Sequence, residues 1–256
     1  MIARPRFSSA LALALVLGSL VAPTAAAEPA WTFRTDKLTP LDDRSVEIIA
    51  GVREGDTCAY PAEGELLEFP ADAPAYIIRD VAVDMASCHI MRERGTLPSV
   101  SLPNADNSLQ QSLATLDRRS AAQQVQASAS GSRSIHQRVY WTDIAGLVLN
   151  YDQTDTTWTW AGGCTTSGSS NGDWGWAAWS GWWLIANNIT QNRTCSRMFS
   201  ETTSHMRNWD FCDRNVDTYY FYVQNYGYAN GSNGYYFSTD TYSECAPVFR
   251  NWSGWG

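Results

Sequence analysis

The chain has 256 residues, with 18 basic against 26 acidic side chains and a formal net charge of −8. That balance argues against nucleic acid or anionic membrane as a partner, since both are held by basic patches. The aromatic load is lopsided: eleven of the 12 Trp lie between Trp141 and Trp255, and ten of the 12 Tyr between Tyr140 and Tyr242.

The N-terminus has the form of a secretory leader over residues 1–27. Arg4 and Arg6 precede an apolar run from Leu11 to Val21, and Ala25-Ala26-Ala27 has the small-x-small form of a cleavage site. The run is shorter than the roughly 20 residues a membrane span needs, so a secreted, extracellular protein is expected. Removing the leader takes away two arginines and no acid, leaving a net charge of about −10. Six cysteines follow: Cys58, Cys88, Cys164, Cys195, Cys212 and Cys245. Their even number in an exported chain favours disulfides, and the absence of C-x-x-C spacing argues against a zinc site. Cys58 and Cys88, both in the N-terminal half, are the simplest pair; three arrangements of the other four are possible, and shorter loops favour Cys164–Cys195 with Cys212–Cys245.

Residues 28–100 are expected to form a small β-rich unit. Val46, Ile48 and Ala50 alternate with Glu47 and Ile49, Leu66 to Phe69 is bounded by Gly64 and Pro70, and Tyr76 to Val83 is a third strand. Asp84 to Ser87 reads as a turn into Cys88-His89-Ile90-Met91. Residues 101–136 are rich in Gln, Ser and Ala. Leu109, Leu113 and Leu116 suggest a short helix capped by Asp106 or Asn107, and Ala121 to Ser134 reads as a tether.

Residues 137–256 are expected to be an antiparallel β-sandwich or partly closed barrel, so the fold class is mainly β. Gly146 to Tyr151 reads as a strand and Asp152 to Asp155 as a turn. Thr156, Trp158 and Trp160 share one face of the next strand. Further on, Tyr219, Phe221 and Val223 face one way, and Tyr220, Tyr222, Gln224 and Tyr226 the other. Asn230-Gly231 and Asn233-Gly234 are turn signals before a return strand at Tyr235-Tyr236-Phe237.

Two aromatic constellations are candidate ligand sites. Trp174, Trp176, Trp179, Trp182 and Trp183 are spaced by small residues that leave indole faces open, with Asp173, Asn171, Asn187 and Asn188 as polar neighbours. An indole face packs against a pyranose, although at least half of these Trp are expected to fill the core. Tyr220, Tyr222, Gln224 and Tyr226 form the second row.

Catalytic and metal signals are poorer. Gly168-Ser169-Ser170-Asn171-Gly172 matches G-x-S-x-G but lies in a loop-like run with no helix after it. Glu201 and His205 are four apart, as on a helix turn. Asp210, Asp213, Asn215 and Asp217 offer oxygen ligands spaced much as in a calcium loop, but Thr218 stands where that loop needs Gly. Asp143, Asp173, Asp210 and Glu244 are the candidate carboxylates for sugar hydrolysis. Asn188, Asn192, Asn230 and Asn251 each begin a glycosylation acceptor pattern. No cofactor motif or metal-ligand spacing stands out. A secreted, non-catalytic β-protein binding carbohydrate or a cell-surface partner through exposed Trp and Tyr is therefore expected. The alternatives are a secreted polysaccharide hydrolase and a structural envelope protein without a small ligand.

Overall fold

A computed structural model describes residues 30–54, 57–60, 64–98, 130–211, 214–243 and 248–256. The described residues hold no α-helix, and none of their segments is a helix long and apolar enough to cross a membrane. The strands are β1 (Thr32–Phe33), β2 (Asp42–Ala50), β3 (Val52–Glu54), β4 (Thr57–Ala59), β5 (Glu65–Phe69), β6 (Tyr76–Asp84) and β7 (His89–Thr96). They continue with β8 (Ser130–Thr142), β9 (Val148–Ala161), β10 (Cys164–Trp176), β11 (Trp182–Arg193), β12 (Arg197–Phe211), β13 (Arg214–Tyr228), β14 (Asn233–Ser243) and β15 (Phe249–Trp255).

Two antiparallel sheets pack face to face without closing into a barrel. Sheet one runs β10-β9-β8-β15-β6-β7-β2, with β1 added to β6. Sheet two runs β11-β12-β13-β14-β4-β3, with β5 added to β14. β9 packs against β12 and β13, and β10 against β11 and β12.

The strands before residue 100 do not form sheets of their own. β6 lies between β7 and the last strand, β15, with Ile78 opposite Trp252. β4 and β5 both pair with β14. The expected division into a unit at 28–100 and a domain at 137–256 is thus not followed by the strand pairing. The tether reading fails from residue 130: Ser130 to Ser134 pair with Ala161 to Thr157 as the first part of β8. Small polar residues suit an outer sheet edge as well as a linker, and the sequence pattern does not separate them. The leader and the Leu109–Leu116 helix lie outside the described residues.

The core is built on indoles. Trp158, Trp160, Trp182 and Trp252 are buried with Ile78, Ile135, Val139, Met198, Met206 and Phe237. Glycines make room for them. A Cβ at Gly227 would stand 2.3 Å from Trp158. Gly231 has φ +85° in the turn after β13 and lies against Trp160. A side chain there meets both strain and overlap. Trp158 Nε1 donates to the Tyr228 carbonyl at 3.0 Å, so this indole keeps its polar edge satisfied.

Between the indoles the sheets meet through a polar seam. Thr154 Oγ1 donates to Thr202 Oγ1 at 2.7 Å, Ser204 Oγ to Asp152 Oδ2 at 2.5 Å and Tyr220 Oη to Asn150 Oδ1 at 2.5 Å. Asn225 Nδ2 donates to the Thr154 carbonyl at 2.7 Å. These bonds explain why Asp152 to Asp155 is not the expected turn. Asp152 and Thr154 are held from the facing sheet, while outside Gln153 accepts from Arg138 and Asp155 bonds His136. The side chains of the stretch find partners in extended backbone, so β9 runs through. Gly168 to Gly172 is likewise strand, paired from Trp158 to Thr154, which corrects its loop reading. Asn233-Gly234 opens β14 instead of turning.

The disulfides Cys58–Cys88 and Cys164–Cys195 are formed as expected. The Cys212–Cys245 pair lies outside the described residues. Cys164–Cys195 ties the start of β10 to the β11–β12 turn, where Thr165 N also donates to the Cys195 carbonyl at 2.7 Å. Replacing both cysteines with serine is expected to lower stability by about 2–4 kcal/mol. Urea unfolding of wild type and the double variant checks this; equal midpoints would show that the bridge contributes nothing.

Candidate ligand-binding face

β12 carries the clearest outward row in the molecule. Phe199, Glu201, Thr203, His205, Arg207 and Trp209 alternate with Ser200, Thr202, Ser204, Met206 and Asn208, which are buried. The small inward residues fit the polar seam. The large outward ones form the middle of a platform on the outer face of sheet two.

Neighbouring strands complete it by register. Trp183 of β11 lies opposite Arg207, and Arg207 opposite Asp217 of β13. Glu201 lies opposite Gln224, Phe199 opposite Tyr226, and Gln224 opposite Tyr236 of β14. Trp183 is 60% and Trp209 48% exposed. The Arg207 guanidinium sits 5.1 Å from the Trp209 ring centroid, which fixes the ring at the strand end.

The polar groups between the rings are held in place. Arg207 donates to both oxygens of Asp217, from Nε at 2.7 Å and from Nη2 at 3.1 Å, and His205 Nε2 bonds Asp217 Oδ1 at 2.6 Å. Partial burial works against the Asp217 carboxylate, but the hydrogen bonds from Arg207 and His205 outweigh it and hold it below the usual range. Further along, Gln224 Nε2 donates to Glu201 Oε2 at 2.5 Å and Tyr226 Oη donates to Gln224 Oε1 at 2.5 Å. Phe199 and Tyr226 are 5.4 Å apart, and Arg197 lies 5.3 Å over the Tyr226 ring. Tyr222 is exposed beside Tyr236.

The predicted tyrosine row is broken by a bulge. Register shifts against Thr202/Ser204 of β12 and Thr239/Ser238 of β14 both put an extra residue into β13 between Tyr220 and Val223, which changes the side on which its residues fall. Tyr220 is therefore fully buried in the core, with burial driving its hydroxyl pKa well up, and it cannot meet a ligand. Tyr222, Gln224 and Tyr226 keep the outer face.

The tryptophan cluster is split as well. Trp182 is only 3% exposed and belongs to the core, and Trp174 packs half-buried against it. Trp176, Trp179 and Trp183 remain exposed, Trp179 most of all at 66%. Trp176 and Trp179 mark the end of the sandwich at the β10–β11 turn, where Ile144 and Leu147 of the β8–β9 turn are also exposed. Asp173 is on the outer face of sheet one, accepting from Tyr151 Oη at 3.0 Å, and does not join the platform.

Where they are described, the groups behind the chemical alternatives are engaged elsewhere or stand apart. Ser170 Oγ donates to Gln191 Oε1 at 3.0 Å inside a strand, with no helix after it among the described residues. Glu201 and His205 are on a strand, not a helix turn, and each is engaged with a different partner. No group of three potential metal ligands is found among the described residues. In the calcium-like run, Asp217 is bound by Arg207 and His205, and the side chains of Asp210, Asp213 and Asn215 lie outside the described set. Asp143 accepts from the backbone of Ala145 and Leu147 within its own turn. Asp152 has its carboxyl pushed up to about 8 by burial and is sealed between the sheets. Glu244 is outside the described residues. Asn188, Asn192 and Asn230 are exposed, whereas Asn251 is buried and accepts from Arg34 Nη1 at 2.6 Å, so it cannot carry a glycan.

No family profile, curated protein or solved structure matches this chain.

Proposed function

We propose that this is an exported, non-catalytic protein that binds carbohydrate on the outer face of sheet two. The observation that carries the proposal is the platform of Trp183, Trp209 and Tyr222, with Arg207, Asp217, Glu201 and Gln224 fixed between the rings. Flat, exposed rings stack on the C–H faces of sugars at small entropic loss, and fixed polar groups take up the hydroxyls. Pre-bonded side chains need no further ordering when a ligand arrives, which keeps more of the contact energy as affinity. The leader-like N-terminus and the two disulfides support export.

Pull-down on insoluble polysaccharides tests it. Wild type is expected to be retained, and Trp183→Ala and Tyr222→Ala each to weaken retention by about tenfold, a loss in the range of one anchoring aromatic. Both side chains are exposed, so the variants should fold. Retention unchanged in both would remove the platform as the binding face.

A further inference from the structure

We propose, resting on the carbohydrate reading above, that the ligand of this face is an extended, uncharged glycan chain laid obliquely across sheet two, so that firm binding needs a run of several sugars. The spacing of the exposed rings sets this class. Trp183 stands on β11 opposite Arg207 of β12, and the extra residue in β13 places Tyr222 between the levels of Thr202 and Ser204. Both rings are exposed. They are about four residues apart along the strands and two strands apart across them, roughly 17 Å at ordinary strand spacings. A pyranose is about the size of the ring it stacks on, so one sugar, or two linked, covers one of these rings and leaves the other bare.

The ground beside and between the rings is polar and faces the same way. β11 has its own irregularity at Leu184/Ala186, after which Asn188, Thr190 and Asn192 lie opposite Thr203, Glu201 and Phe199 of β12. Directly opposed residues share a face, so the amides and hydroxyl of β11 widen the outward row of β12. All three are exposed, and Asn188 Nδ2 donates to Thr190 Oγ1 at 3.0 Å along the same side of the strand. A carboxamide both donates and accepts, which suits the successive hydroxyls of a sugar chain.

Charge narrows the chain to an uncharged one. Among the described side chains facing out from β12 and β13, Arg197 and Arg207 are matched by Glu201 and Asp217, and Asp217 is held by Arg207 and His205. The protein as a whole carries −8. A polyuronate or sulfated chain is repelled by that charge and needs a basic stripe, whereas this face sets two arginines against two carboxylates. A neutral glycan meets no such opposition. Once one ring holds it, the second contact is intramolecular, so affinity rises with chain length beyond what either ring supplies.

The full chain is made in a host that adds no N-glycans, so that Asn188 and Asn192 stay bare. Cellulose, chitin, mannan and cross-linked polygalacturonate are the probes, followed by calorimetric titration with the mono-, di- and hexasaccharide of the glycan retained. The hexasaccharide is expected to bind at least about tenfold tighter than the disaccharide. Trp183→Ala and Tyr222→Ala are each expected to bring it to within about threefold of the disaccharide, since one ring then remains. Retention on none of the four polysaccharides would remove the carbohydrate reading itself, and this class of ligand with it. Retention with a monosaccharide or disaccharide bound as tightly as the hexasaccharide would leave that reading standing and overturn the extended chain. A length dependence that survives both substitutions would move the chain off this face, and polygalacturonate held as firmly as the neutral glycans would overturn the uncharged class.

Discussion

Replacing Asp152 with asparagine is expected to flatten the pH dependence of stability, with the largest gain above pH 8. Burial holds the folded-state carboxyl at about 8, against an ordinary value of 3.8. Below the ordinary value the carboxyl is protonated in both the folded and the unfolded chain, and its favourable contribution is fully present. As pH rises, the unfolded chain releases the proton and the folded one keeps it. Stability then falls by about 1.4 kcal/mol per pH unit until the folded group ionises near pH 8. Across that window the loss is on the order of 5 kcal/mol. Asparagine keeps the shape and can still accept from Ser204 Oγ, which now reaches Oδ2 at 2.5 Å. Asp152 Oδ1 is buried without a hydrogen-bond partner, consistent with a carboxyl that remains neutral. Urea unfolding of both proteins from about pH 4 to about pH 9 isolates the effect as the difference between the curves. Parallel curves would mean that Asp152 is ionised in the fold.

Asp80→Ala should be among the most damaging single changes, costing about 3–5 kcal/mol. Asp80 is buried in β6, where it accepts from Arg92 Nε of β7 at 2.7 Å and from the Arg250 N–H of β15 at 3.0 Å. It therefore joins an early strand to the last strand of the chain, at the place where β6 is inserted in sheet one. Removing the carboxylate leaves the Arg92 charge, itself only 1% exposed, without that partner. Replacing the pair together, as Asp80→Leu with Arg92→Met, should recover most of the loss, since an apolar pair of similar volume avoids the desolvation of both charges. Urea midpoints of the single and double variants decide it. A double variant as weak as the single would assign the loss to packing and to the lost Arg250 N–H bond rather than to the Arg92 charge.

Strand positions are readable in the sequence wherever alternation is regular. The runs at Val46–Ala50, Leu66–Phe69 and Tyr76–Val83 are β2, β5 and β6, and Thr156, Trp158 and Trp160 do turn inward together. Regular alternation fails at a bulge, because one extra residue moves every later side chain to the other face. That is why Tyr220 lies hidden among apparent surface tyrosines. The β12 row follows the same period of two from Phe199 to Trp209. It is hard to see in the sequence because Ser, Thr and His do not register as a hydrophobic pattern, and its buried side is largely polar.

Chain composition by itself determined the mainly β class, the expectation of disulfides and the crowding of aromatics into the second half, while the structure chose Cys164–Cys195 from the pairings left open. The first three follow from local preference, cysteine parity and residue counts, which need no knowledge of partners. Only the tertiary structure decided which aromatics reach solvent, that Asp152 to Asp155 continues a strand, and that β6 lies beside β15. Each of those depends on a residue far away in sequence. Ser204 accommodates Asp152, Gly227 makes room for Trp158, and Arg250 meets Asp80. A polar residue reads as a turn until the group that satisfies it across the sandwich is known.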